Sequence, residues 1–247
     1  MKLHRIILAS TLTLVCAQGY AGGFVTLPTT APLRVFGSQN INADQLYLPS
    51  IASFQLLASR DTNVIFQGTT AVIGTFHDFV YLDPGATSST ADDSLVFASR
   101  LTLGNNSAEV NDIFRSGFTG YAPAATWTFS TDNDLRLYAS ARTASGLNQG
   151  ADVFNPDVVD LRSDINASEG NPFSGLYMIK IAAAGTAYAL VNNAVRLRQG
   201  GEEGQPITQA IFAGFAPVAA VPEPSSWALL LAGLGIAGFI ARRRLAV

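Results

Sequence analysis

One cysteine, two histidines and two lysines in 247 residues narrow the chemistry before any motif is read. Cys16 stands inside an N-terminal apolar run, so cleavage after that run leaves a domain with no thiol. Such a domain has no disulfide, no cysteine nucleophile, and no zinc site of four cysteines or of two cysteines and two histidines. His4 lies in the same N-terminal stretch, and His77 alone does not make a His-rich metal site. Charge is scarce as well: Asp, Glu, Lys and Arg make up 13% of the chain, against about a quarter in an average soluble protein. Between Gly22 and Val221, ten Lys and Arg stand against seventeen Asp and Glu, a balance of −7 with Lys180 as the only lysine. That surface does not suit nucleic acid or anionic lipid. No internal repeat recurs at a fixed period, which excludes solenoids and propellers.

What is plentiful points to one exported β domain. Hydrophobic residues are 48% of the chain, enough for a sizeable core in a single domain. Met1 to Ala21 reads as a secretory leader, with Lys2 and Arg5, an apolar run from Ile6 to Cys16, and small residues at Gly19 and Ala21 where signal peptidase cuts. Val15 before Cys16 is too large for lipid attachment.

Gly22 to about Ser50 carries Pro28, Pro32 and Pro49 and is expected to wrap the domain. Short runs of Val, Ile, Phe, Tyr and Thr between Gly, Asn, Asp and Pro then predict strands at Ile51 to Leu57, Asn63 to Gln67, Ala71 to Leu82 and Leu95 to Leu103. In the last, Leu95, Phe97, Leu101 and Leu103 share one face, opposite Val96, Ala98, Arg100 and Thr102. Thr126 to Tyr138 predicts a hairpin turning at Thr131 to Asp134, and Gly175 to Asn192 predicts a second turning at Gly185. Ala194 to Arg198 and Ile207 to Phe215 close the set. Ser107 to Phe114 has helical spacing at Val110, Ile113 and Phe114, and Ala139 to Pro172 reads as one long Asp-, Asn- and Gly-rich loop. The class expected is all-β: a single antiparallel β-sandwich, jelly-roll or Ig-like, flanked by an N-terminal signal helix and a short C-terminal apolar helix.

Candidate chemistry in the middle of the chain is thin. Asp132 and Asp134, in the first hairpin turn, and Asp164, in the long loop with Asp152, Asp157, Asp160 and Glu169, offer the hard oxygens that calcium prefers. Asp164 to Ser168 matches the first half of a calcium loop, but Glu169 stands where Gly is needed and Gly175 where a bidentate Glu belongs. Otherwise these acids cap their own turns. His77 and Asp78 are adjacent on a strand and point to opposite faces, so the pair does not form a catalytic dyad. No Gly-x-Ser-x-Gly elbow accompanies them, and no two carboxylates are singled out for sugar hydrolysis. Tyr121, Trp127, Tyr138 and Tyr177 would stack on sugar rings if a sheet face presented them and otherwise belong to a core.

The end of the chain is more specific. Val221-Pro222-Glu223-Pro224 precedes an apolar run from Trp227 to Ala241 and the basic cluster Arg242-Arg243-Arg244. As a helix the run spans roughly 22 Å, short of a hydrocarbon core of about 30 Å. Gly233, Gly235 and Gly238 weaken it further, and the arginines favour the cytoplasmic side. This arrangement resembles the PEP-CTERM sorting signal of Gram-negative bacteria. The resemblance covers about a tenth of the chain and implies export followed by recognition at Pro222, Glu223 and Pro224 by an exosortase, a membrane protease-transpeptidase. It further implies transient inner-membrane anchoring through Trp227 to Ala241, with Arg242 to Arg244 as the stop, and delivery to the cell surface or an exopolysaccharide-rich matrix.

The expected organisation is therefore leader (1–21), β-sandwich (22–215), linker with the Pro-Glu-Pro motif (216–226) and sorting helix with basic tail (227–247). The expected function is that of a non-catalytic structural or adhesive protein of biofilm or floc, handled by signal peptidase and exosortase, in contact with extracellular polysaccharide and needing no cofactor. A calcium-dependent carbohydrate-binding module and a matrix-polymer hydrolase are the alternatives from other classes.

Overall fold

The computed structural model describes residues 23–36, 47–85, 89–104, 108–131, 134–201, 206–220, 230–234 and 236. The chain is mostly β, in two antiparallel sheets. Strands β1 (Val25–Thr26), β2 (Gln55–Ile65), β3 (Val72–Asp83), β4 (Ser94–Leu103), β6 (Ala124–Thr128) and β9 (Leu176–Ala182) form a six-stranded sheet in the order β1-β6-β9-β4-β3-β2. Strands β5 (Glu109–Arg115), β7 (Ala139–Ala141), β8 (Val159–Asn166), β10 (Thr186–Gln199) and β11 (Thr208–Ala219) form the other, in the order β11-β10-β5-β8-β7.

One buried cluster joins the sheets. Val64, Phe76, Val80, Phe97 and Ile179 come to it from the first sheet, and Val110, Ile113, Leu161, Val195 and Leu197 from the second. Alternation along each strand sends these residues inward. The expected strands at 71–82 and 95–103 are β3 and β4, and those at 51–57 and 63–67 merge into one bulged strand, β2. The face of β4 expected to be wetter is covered over part of its length. Val96 and Ala98 are fully buried with Met178 beneath Phe24 and Leu48 of the N-terminal segment, which straps that face as its prolines suggested, and beneath Ile51 and Phe54, which precede β2 and are not part of a strand.

Four expectations are corrected. Ser107 to Phe114 is not helical where it is described: residues 109–115 are β5, the middle strand of its sheet. A register shift between Val110 and Asp112 lets Val110 and Ile113 both reach the core, the spacing that imitated a helix. The stretch from Ala139 to Pro172 is not one loop, because β7 and β8 lie within it. Thr126 to Tyr138 is not a hairpin: β6 pairs with β1 and β9, while Leu135 bridges to Ser174. Nor do the strands around Gly185 pair, since β9 sits between β6 and β4 and β10 crosses to the other sheet, between β5 and β11.

The expected strands at 187–191 and 194–198 are one long β10, bulged between Val191 and Val195. There Asn193 takes a left-handed φ of 59°. The signal helix lies outside the described residues. Of the C-terminal apolar run, 230–234 and 236 are helical, and among the described residues no helix is long and apolar enough to cross a membrane.

Sheet edges are closed by side chains as well as by strands. Along β11, the Phe215 N–H donates to Asp78 Oδ2 at 2.7 Å and the Phe215 C=O accepts from Arg115 Nη2 at 2.5 Å. The Ala213 C=O accepts from Arg60, and the Gln209 C=O from the Gln67 N–H. Val35 bridges Ser140 and so covers β7. Backbone groups on an exposed edge otherwise recruit foreign strands.

Candidate functional site

Asp78 and Arg115 form the most deeply buried ion pair among the described residues, 2.8 Å long with side chains 2% and 0% exposed. Asp78 keeps the inward phase of Phe76 and Val80 on β3, and Arg115 comes from β5 on the opposite sheet; Arg115 also donates to Ser99 on β4. His77 points the other way and meets Asp61 at 2.8 Å on the outer face, the divergence expected of neighbouring strand residues. No dyad forms.

The acidic stretch 152–164 serves arginines and turns. Arg34, in the N-terminal segment, donates through Nε and Nη2 to Asp152, each at 2.6 Å, and through Nη1 to Asp160 at 2.7 Å. Arg162 donates to Asp112 Oδ1 at 2.7 Å, and the other Asp112 oxygen accepts the Leu147 N–H. Asp157 accepts from the Gly117 N–H and Thr119. Together these bonds fasten residues 142–157 over the outer face of the five-stranded sheet. Burial and the nearby Asp112 carboxylate push Asp160 well above the usual carboxylate range, against the pull of Arg34 and Arg162.

The calcium candidates separate. Asp134 bonds Arg100, the Ser130 and Thr131 N–H groups and the Thr131 hydroxyl, capping its own turn. Asp164 lies on β8, and Asp132 lies outside the described residues. No group of three or more His, Cys, Asp or Glu side chains is arranged to hold a metal among the described residues. With Asp134 already saturated by donors, EDTA should leave the melting temperature unchanged. A calorimetric fall of several degrees, reversed by calcium, would contradict this.

Among the aromatics, Trp127 and Tyr177 are core residues, and Tyr177 donates to Ser163 at 2.7 Å. Tyr121 packs against the core, and Tyr138 carries Arg136 over its ring. The inward phase of Asp78 with Phe76 and Val80 was a readable sign of a buried carboxylate; the roles of Arg34, Asp112 and Arg115 left no local sign, because their partners are remote in sequence.

Pro222, Glu223, Pro224 and Arg242, Arg243, Arg244 lie outside the described residues, so their arrangement rests on sequence. There the comparison with known families is informative: residues 220–244 match the model of the PEP-CTERM protein-sorting motif. The chain carries that motif, which implies export, targeting to an exosortase and sorting to the cell surface. No curated protein and no solved structure matches the chain.

Proposed function

We propose that the chain is a non-catalytic structural or adhesive β-sandwich protein, released from a transient membrane anchor by exosortase processing into a polysaccharide-rich surface or matrix. The observation that carries this reading is where the last described strand ends. β11 ends at Ala219, and the sorting motif occupies 220–244. Among the described residues every strand is therefore upstream of the motif, and removal of the tail leaves each of these strands its partners. The buried ion pairs support a structural role: Asp78 is held by Arg115, Asp112 by Arg162 and Asp160 by Arg34.

Mass spectrometry of the surface or secreted form should recover peptides from the β domain and none from Leu229 to Val247. Cells lacking the exosortase should retain the full chain in the membrane fraction. Recovery of the tail peptide from surface protein would refute exosortase processing.

A further inference from the structure

The outer face of the five-stranded sheet carries two arginines that make no direct ion pair among the described residues, although Asp112 and Asp160 lie near enough to favour their charge. Arg196 and Arg198 project from β10 onto the face that also bears Asp112, Asp160 and Arg162. Asp112 is paired with Arg162, and Asp160 with Arg34. Among the described residues, neither Arg196 nor Arg198 has a carboxylate oxygen within 4.0 Å. Arg198 is 2% exposed, and its Nη1 has no hydrogen-bond partner. Arg196 is half-buried. Its guanidinium lies 4.0 Å from the centroid of the Phe114 ring, and its Nη2 donates to the Ala144 C=O at 2.8 Å. Stacking and that bond fix the guanidinium plane, while burial and the neighbouring Arg198 disfavour its charge and lower its pKa against the pull of Asp160 and Asp112.

Arg196 lines an open cleft of about 500 Å³, together with Gln67, Ser116, Asn193 and Ile211. The volume is within the range of small-molecule sites. Asn193 stands in the β10 bulge with its left-handed φ of 59°. Bulges re-aim side chains beside binding sites, and a non-glycine residue in that region is a local cost that the surrounding structure maintains. An oriented guanidinium that no carboxylate of the described residues pairs directly suits the carboxylate of a ligand. The amides and hydroxyl around it suit hydroxyl groups, and the Ile211 wall suits a C–H face.

We propose that this cleft binds a small carboxylate-bearing, polyhydroxylated ligand, of the class of a uronic acid unit, with Arg196 holding the carboxylate and Asn193 a hydroxyl. The assignment stands on the cleft and not on the destination of the chain, so it can fail while exosortase processing holds, and the reverse.

The test is isothermal titration of the full chain, purified in detergent, with sodium glucuronate, glucose and sodium phosphate. Glucuronate should bind saturably and more weakly as salt rises, and glucose should give no saturable signal. Arg196→Gln should weaken glucuronate by about tenfold or more, as expected for loss of a charge-assisted bond. Asn193→Gly, which suits the positive φ, should weaken it by about threefold through loss of one neutral hydrogen bond. The second variant keeps the proposal falsifiable if the first does not fold. Equal binding of glucose removes the carboxylate from the proposal and overturns it. Equal binding of phosphate overturns the sugar-acid assignment, as does absence of saturable glucuronate binding, or unchanged affinity in folded Arg196→Gln or Asn193→Gly.

Discussion

Asp78→Ala should lower folding stability by about 3–5 kcal/mol, the usual cost of leaving one member of a buried ion pair alone. Its partner Arg115 is 0% exposed, so water cannot replace the carboxylate without opening the core. The change also deprives the Phe215 N–H of its acceptor on β11. Against a total stability of about 5–15 kcal/mol this is a large fraction, and urea denaturation should show a clear fall in midpoint. The double variant Asp78→Leu with Arg115→Met separates the contributions. Replacing a buried pair by apolar groups is often neutral, but here the Phe215 N–H and C=O both lose their partners. An unsatisfied buried group costs about 1–3 kcal/mol, so the double variant should recover part of the loss and not all of it. Full recovery would mean that the edge contact to β11 contributes nothing; no recovery would mean that the ion pair itself is strongly net stabilising.

Gly74→Ala is the second large effect. A Cβ at position 74 would overlap the Thr102 C=O and approach Leu103 Cα to 2.9 Å. Those atoms are backbone of β4, the strand paired with β3 at this point, and they cannot turn aside as a side chain can. β4 is held from its other side as well, because the Leu103 N–H donates to the Pro172 C=O and Thr102 bridges Phe173. Overpacking typically costs about 1–3 kcal/mol, and a backbone obstacle puts this site at about 3 or above. Gly120→Ala is a useful control: it is strained by a φ of 84° but has nothing within 4 Å of the added methyl. It should cost about 1 kcal/mol, the scale of incompatible glycine replacements. Thermal denaturation should rank the two with Gly74→Ala well below Gly120→Ala; a reversed order would mean that β4 can move.

Much of the first sheet was legible because its strands are long, bounded by turn residues, and alternate in the expected way; β3 and β4 are examples. The tail was legible because sorting signals are written locally, in residues 220–244. β8 was hidden by composition. Val159, Leu161 and Ile165 are core residues in period two, but the acids and glycines around them made the stretch resemble a loop. β5 was hidden by its bulge and by Asp112 and Arg115, polar residues that are buried because partners come from β8 and β3. The two expected hairpins failed for another reason: adjacency in sequence suggests pairing, whereas β6, β9 and β10 find partners far along the chain. The arginine cleft was illegible for the same cause, since Gln67 after β2, Ser116 after β5 and Arg196 on β10 meet only when the two sheets come together.

The late position of β9 also sets a timetable. β2, β3 and β4 are consecutive in sequence and in the sheet, so a vectorially emerging chain can zip them together by local contacts. β6, by contrast, is joined to them only through β9, and β5 must wait for β8 and β10 to be flanked on both sides. Until residues near Leu176 have appeared, the first sheet is in two pieces and the shared core lacks its lid. Non-local closure of this kind is slow, so cooperative collapse of the two-sheet core waits until the later strands are present.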